Sequence, residues 1–422
     1  MSNTETARLE ALASLVTDKA IFDKDPTKRY VGLEHIPSSG SAIVELGLAG
    51  DSISANNIFR EGDILFGKLR PRLRKSVRVN WAGYCSTDIL VLRSNDAADA
   101  LFVSFVFRSE PVFREAIRTE EGTKMPRCSW RSLRALEVFY PPNQCERSRI
   151  AEILSTLDET IEQTEATIAK YQQIKAGLMH DLFTRGLTPE GQLRPERVQA
   201  PRFYKESPVG WFPKDWNIVM LGASAEIVSG VTLGSNTNHK GGVEVPYLRV
   251  ANVQDGYLDL SEMKTVTVPQ SYVERLRLRN GDVLMNEGGD FDKLGRGCIW
   301  REELSPCIHQ NHVFRVRPQI SVLRSEYLAY WCESEFGKRY FRLCSKQSTN
   351  LASINSSQLN RMPLALPTPE EQREMELRIS GVNNQINSLR TDVFKLRNLK
   401  HGLTQDLLTG RVRVNLTEAA TA

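Results

Sequence analysis

The chain has 422 residues, 41% hydrophobic and 25% charged, which places it among ordinary globular proteins and leaves room for at least two cores. A formal net charge of only +4 excludes any argument for nucleic-acid binding from bulk charge, so a DNA-facing surface has to be sought in the arrangement of cations. No run approaches ~18 apolar residues, Met1–Leu15 lacks the basic start and apolar run of a signal peptide, and seven scattered cysteines without a CxxC pair exclude a disulfide framework or zinc ribbon. The expectation is a cytoplasmic protein with no membrane contact and reduced, mostly structural thiols.

The first segment, 1–142, has mixed strand and loop character, with short β-branched runs such as Asp63–Phe66 and Ile89–Leu92 bounded by Gly, Asp and Pro. Lys68, Arg70, Arg72 and Arg74 alternate with Leu69, Pro71 and Leu73, so an extended segment would show four cations on one face, suited to a phosphate backbone. Pro71 confines that strip to an edge strand or loop, and a solvated charged edge that discourages aggregation is the other reading. Lys75 and Thr87 join the candidate DNA-binding set. Tyr140-Pro-Pro-Asn143 holds the letters of an adenine-methyltransferase motif in reverse order, and its place before a helix makes it a turn plus N-cap.

A long helix is predicted over 143–186, opened by the capping box Asn143-Gln-Cys-Glu146 and stopped by Gly186. Leu157, Ile161, Ile168, Ile174 and Leu178 are its helix-pairing residues, at spacings of three and four. A Pro, Arg and Glu linker, 187–208, leads to Val209-Gly-Trp-Phe-Pro-Lys-Asp-Trp216 and a second mixed segment, 209–367. There Arg249 and Asn252 occupy a loop, and Asn286-Glu-Gly-Gly-Asp-Phe-Asp-Lys-Leu-Gly-Arg-Gly297 is a glycine-rich loop whose Asn286, Lys293 and Arg296 are candidates for DNA. It lacks the Lys-Ser/Thr ending of a nucleotide-binding loop, and an ordinary hairpin is the alternative. Gln310 and Asn311 can pair with adenine or cap the next strand locally. His309 and His312 form an H-x-x-H with no third ligand evident, so no metal site is expected. Thr368-Pro-Glu-Glu371 opens a second helix, 368–411, paired through Val382, Ile386, Val393, Leu399 and Leu403, with Gly410 near its end and a tail over 412–422.

These parts repeat. LMHDLFTRGL at 178–187 matches LTQDLLTGRV at 403–412, an offset of 225 residues that persists back through Ile161 and Ile386 to Leu157 and Val382. Arg29-Tyr-Val-Gly echoes Pro246-Tyr-Leu-Arg, Glu61-Gly-Asp-Ile-Leu-Phe echoes Asn280-Gly-Asp-Val-Leu-Met, and Ser86–Arg93 echoes Gln310–Arg317. The fold class expected is α+β: two domains of mixed strands and short helices, separated by two long antiparallel coiled-coil helices in pseudo-twofold arrangement. Each helix spans roughly 35 to 40 residues, or about 50 to 60 Å at ~1.5 Å per residue, and one apolar stripe needs a partner to be covered.

With the order module, helix, module, helix in place, the chain resembles the specificity subunit of type I DNA restriction-modification systems. Val209–Trp216, the two Gly-Asp-Ile/Val-Leu strands, Pro367-Thr-Pro-Glu-Glu-Gln-Arg with its looser partner Pro142-Asn-Gln-Cys-Glu-Arg, and Leu-Leu-Thr-Gly-Arg carry the resemblance. The first module departs from it by lacking the Gly-x-x-Pro-x-x-Trp lead of the second. The resemblance implies that each module reads one half of a split target on double-stranded DNA. It also implies that the helices set the spacing and bind two methyltransferase subunits, and that a motor-endonuclease joins for cleavage. S-adenosylmethionine, ATP and Mg are then expected on the partner subunits, with no cofactor in this chain.

The methyl-donor loop, the Asn/Asp-Pro-Pro-aromatic motif, a Walker A pattern and a Ser/His/Asp set are all missing, so the chain is expected to be a non-catalytic subunit. A specificity subunit of a related two-subunit restriction-modification enzyme, and a coiled-coil scaffold without DNA function, are the competing readings. If the helices act as a ruler, changing their length is expected to change the unread spacer of the target while leaving both half-sites the same. Adenine methylation mapped across the genome reads both at once.

Overall fold

The computed structural model describes residues 5–20, 29–38, 43, 46–48, 56–234, 241–289, 295, 297–344, 346–348 and 351–414. The chain forms two compact units, one of residues 1–167 with 389–422 and one of residues 168–388. The long helices are Gln144–Arg185 and Pro369–Leu407, and each contributes a part to both units. No helix among the described residues is long and apolar enough to cross a membrane.

In the first unit a four-stranded antiparallel sheet runs in the order Ala13–Val16, Ile89–Ser94, Ile64–Gly67, Ser76–Arg78. Its central strands carry continuous apolar runs because both faces are covered: Ile64, Phe66, Leu90 and Leu92 face one core while Leu65, Ile89 and Val91 face another. The first of these cores also takes Phe102, Phe105 and Phe113 from the helices Ala100–Val106 and Glu110–Arg118, and Ile150, Leu154 and Leu407 from the long helices. A second sheet contains the parallel pairing of Arg29–Val31 with Gly83–Cys85. Thr6–Arg8 pairs with Glu137–Phe139.

The second unit repeats the four-stranded sheet, the parallel pair and the terminal antiparallel pair of the first. Its four-stranded sheet is Ala225–Ser229, Val313–Pro318, Val283–Asn286, Gly297–Ile299, its parallel pair is Val243–Leu248 with Ile308–His309, and Asn217–Met220 pairs with Pro363–Leu366. The repeated Gly-Asp marks a shared device. Asp63 receives both Nε and Nη2 of Arg93 at 2.7 Å and the Arg60 amide at 2.8 Å; Asp282 receives Nε and Nη2 of Arg317 at 2.7 Å and the Arg279 amide at 2.7 Å. Gly62 and Gly281, at φ 89° and 91°, turn the chain into each strand.

The long helices are antiparallel within each unit. In the first, Glu146 meets Arg413, Asp158 meets Lys400 and Glu165 meets Arg397, numbers rising on one helix side as they fall on the other. In the second, Met179 and Leu182 share a core with Met375 and Ile379. Ile161, Ile386 and Val393 are buried, and Leu157, Ile168, Leu178, Val382 and Leu403 are half-buried, as pairing residues should be. Ile174 and Leu399 are not part of the seam: they are 55% and 52% exposed. The shielded positions run 161, 164, 168, 171, 175, 178, 182 on one helix and 382, 386, 389, 393, 396, 400, 403, 407 on the other, so Lys175 and Lys400 hold the places expected for Ile174 and Leu399. A step of one residue turns a side chain about 100° around a helix, out of a narrow stripe. Each seam lysine is paired, Lys175 with Glu333 at 2.6 Å and Lys400 with Asp158, which also takes Arg108 at 2.9 Å.

The helix ends are locked in the same manner in both units. Glu371, in the first turn of one long helix, accepts the Leu187 amide at 2.7 Å, Arg194 at 2.6 Å and the Trp216 indole at 3.2 Å, all from the chain just beyond the other helix. Glu146 likewise receives Arg413 at two distances of 2.6 Å. Gly186 has φ 63°, and a Cβ there would lie 2.4 Å from the Glu371 carboxylate. The segment expected as a linker, 187–208, is therefore part of the second unit, with Tyr204–Ser207 paired to Gly210–Pro213.

Replacing Asp158 by alanine leaves Arg108 and Lys400 uncompensated and is expected to cost about 3 to 5 kcal/mol, whereas Ile174→Ala is expected to cost under about 0.5 kcal/mol. Urea unfolding of the two variants checks which residues form the seam.

Candidate nucleic-acid interface

The parallel strands of each unit end side by side, and the loops leaving them are tied together through the backbone. In the first module Ser86 N donates to Val31 O and Lys68 N to Asp88 O, both at 3.0 Å; in the second, Gln310 N donates to Leu248 O and Glu287 N to His312 O, both at 2.9 Å. Most of the residues selected from the sequence fall on these loops or at the strand ends that bear them: Lys68, Arg70, Lys75 and Thr87 in one module, Arg249, Asn252, Asn286, Gln310 and Asn311 in the other. Loops held at one end of a rigid sheet can vary in side chain without disturbing the core, which is where recognition residues gather.

The segment 68–74 is not the extended strip that its alternation suggests. Arg70 adopts φ 50°, Pro71–Leu73 form a 3-10 turn, and Arg74 leaves it at φ 52°. Proline fixes φ near the helical value at the first turn position, and that winds the chain instead of extending it. The cations separate accordingly. Arg72 pairs with Glu120 at 2.8 Å, Arg74 pairs with Glu110 at 2.5 Å and lies over Phe113, and Lys75 donates to the Leu33 carbonyl at 2.5 Å. Arg74 holds the Glu110 carboxyl below its ordinary pKa. Arg70 is exposed and Lys68 half-buried, neither with a side-chain hydrogen bond or ion pair among the described residues. Thr87 is half-buried in the turn before Ile89–Ser94.

In the second module two of the chosen amides are engaged inside the loop instead of facing outward. Asn252 is 2% exposed; its Oδ1 accepts the Arg249 amide at 2.9 Å, and its Nδ2 donates to the carbonyls of Asp259 at 2.9 Å and Glu262 at 3.1 Å. Asn286 is buried with Nδ2 on the Val253 carbonyl at 2.9 Å. Arg249 donates to the Glu262 carbonyl at 2.9 Å. Gln310 and Asn311 are half-buried at the loop mouth, and Asn311 Nδ2 lies 3.3 Å from His312 Nε2. Lys293 and Arg296 lie outside the described residues.

The internal bonds of Asn252 have a consequence that sequence reading missed. They fix a turn in which Gln254 N donates to Tyr257 O at 3.0 Å and Gly256 N to Gly297 O at 3.0 Å, leaving Tyr257 61% exposed. Asp255-Gly256 before an aromatic residue was the available signal. Arg131 and Arg134, near Lys68 in the first module, were missed as well, because they sit on and just after a four-residue helix with no periodicity to flag it.

The H-x-x-H histidines have different surroundings. His309 is fully buried with Nδ1 2.6 Å from the Val313 carbonyl, and His312 is exposed with Nδ1 2.5 Å from Glu287. Among the described residues no group of three His, Cys, Asp or Glu side chains is placed to hold a metal ion. Burial pushes the thiols of Cys85, Cys298, Cys307 and Cys332 up to about 12, and none of these cysteines is in a disulfide.

Residues 213–392 match the family described as the type I restriction modification DNA specificity domain. The chain is 26% identical over 339 residues to the type I restriction enzyme MjaVIII specificity subunit of Methanocaldococcus jannaschii, covering 78% of this chain and 74% of that one. The chain is similar to type I restriction-modification specificity subunits. The putative MjaX specificity subunit of the same organism is 25% identical over 208 residues, an alignment that spans 49% of this chain and only 48% of that relative. The EcoBI specificity subunit of Escherichia coli is 23% identical and is covered to 65% of its length. The fold is shared with the S subunit from M. genitalium, at a TM-score of 0.59 and 14% identity over 97% of both chains. It is also shared with a chain solved in work on complex assembly and conformational transition of the type I R-M system, at 0.55 and 20% over 97% and 98%.

Burial holds His309 down at about 4, against 6.5 for a free imidazole. The unfolded chain therefore takes up a proton that the folded subunit refuses, and stability present above pH ~6.5 is lost as pH falls toward about 4, by roughly 3 kcal/mol in all. The corresponding place in the first module is a cysteine, Cys85, at the same position of the parallel pair. His309→Cys is expected to flatten this part of the stability profile, measured by urea unfolding at stepped pH.

Proposed function

We propose that the chain reads a bipartite sequence on double-stranded DNA, one half per module, and docks two methyltransferase subunits and a motor-endonuclease that bring S-adenosylmethionine, ATP and Mg. The observation that carries this reading is the duplicated loop cluster at the ends of the parallel strands. One backbone scaffold appears twice, and the loops it presents differ in charge, length and side chains. Two copies of one recognition scaffold with unlike loops suit two unlike half-sites separated by base pairs that neither copy touches.

Arg70 and Lys68 supply unpaired cations for phosphates, which position a protein on the duplex, while Gln310, Asn311 and Tyr257 offer amide and aromatic groups for base edges. Support for docking comes from large apolar side chains that the helix seam leaves exposed. Leu377 is 54% and Phe394 66% exposed, in addition to Ile174 and Leu399. Such side chains are costly to leave in water on a helix whose own stripe is already covered.

Genome-wide adenine methylation compared with and without this gene, partner genes intact and expressed, tests the proposal. The expected result is loss of one split motif, which also gives both half-sites and the spacer. An unchanged methylome with active partners would overturn it.

A further inference from the structure

A cleft of about 600 Å³ opens in the first module, lined by Leu15, Lys68, Leu90, Cys128, Ser129, Trp130, Arg131 and Arg134. Its floor is apolar sheet and its rim carries three cations. Lys68 and Arg131 have no side-chain hydrogen bond or ion pair among the described residues, and Arg134 has only a 3.7 Å contact with Glu10. Two like-charged side chains without counter-ions beside a cleft are in repulsion until an anion enters.

The internal repeat provides a control within the same chain. Cys128 N donates to Lys68 O at 3.0 Å, and Ile354 N donates to Glu287 O at 2.8 Å. Ser129 caps its short helix through Ser132 N at 3.2 Å, and Asn355 caps the equivalent one through Gln358 N at 2.9 Å, each with a reciprocal capping box. Lys68, Trp130, Arg131 and Arg134 thus correspond to Glu287, Ser356, Ser357 and Asn360. On one backbone, the first module carries a lysine, a tryptophan and two arginines where the second carries a carboxylate and three neutral polar residues. A role in folding common to both modules would not need the cations, so they answer to a ligand that only the first module meets.

We propose that this cleft binds a phosphate ester, and, resting on the functional reading above, that the ester is a backbone phosphodiester beside the first half-target. The guanidinium of Arg131 and the ammonium of Lys68 hold the phosphate oxygens, and the half-buried Trp130 ring borders the sugar. The two half-sites are then held unequally: the first module grips the backbone more strongly and the second does not reproduce this grip.

The test uses the full chain and a mixed-sequence DNA duplex, with affinity followed across a salt series. Arg131→Ser with Arg134→Asn gives the first module the second module's residues at two exposed positions, and Lys68→Gln is a separate variant. Each is expected to weaken duplex binding roughly tenfold and to lower the salt slope by about one for each phosphate that is no longer neutralised, while Lys395→Gln on the second long helix leaves both unchanged. Unchanged affinity and slope in both variants would overturn the phosphodiester assignment. Titration of the same proteins with inorganic phosphate and with adenosine monophosphate separates the sources. Binding of either by the wild-type chain that the variants abolish, with DNA affinity unaffected, would assign the cleft to a free phosphate ester and reject DNA as its occupant. If the wild-type chain binds no duplex at all, the functional reading fails, and the phosphate titration still decides the cleft.

Discussion

A helix of 42 residues with a single apolar stripe has nothing in water to hold it, and this chain contains two such helices, the second of 39 residues. Covering those stripes is the constraint on which the rest depends. Within each compact unit the cover is a part of the other long helix, antiparallel, together with the short helices and sheet of that unit's module. The fold of a module is thus tied to segments more than two hundred residues away in sequence, such as Ile150 and Leu407 in one core. The polar contacts follow the same logic. Asp158 and Glu333 exist to meet lysines that interrupt the stripe, and Glu371 and Glu146 fasten the start of each helix to the chain leaving the other.

Repetition at the level of backbone and divergence at the level of side chain divide the labour between stability and recognition. The Asp–Arg pairs at Asp63 and Asp282 agree to within 0.1 Å in their bonds because they turn the chain into a central strand, a task that is the same in both modules. At the strand ends the paired positions part company: Lys68 against Glu287, Asp88 against His312, Trp130 against Ser356. Here nothing in the core dictates the residue, and under the proposed function these are the positions free to differ between two half-sites.

The sequence by itself determined the repeat, the two long helices and the α+β character, because these rest on local periodicity, turn residues and a constant offset, all of which survive without knowledge of the tertiary fold. It also marked the loops at the strand ends, since Gly, Asp and Pro punctuate the strands that bear them. Only the tertiary structure decided which side chains on those loops are available. Asn252 and Asn286 look like base readers in a sequence and are loop-building amides in the structure; Arg72 and Arg74 look like neighbours on a strip and are separated by a turn that pairs each with its own glutamate. Ile174 and Leu399 were the apolar choice for the seam, yet the exposed face takes them and Lys175 and Lys400 are shielded, because the acids that neutralise those lysines are brought in by distant residues. Availability depends on partners remote in sequence, and no pattern of spacing along one chain contains them.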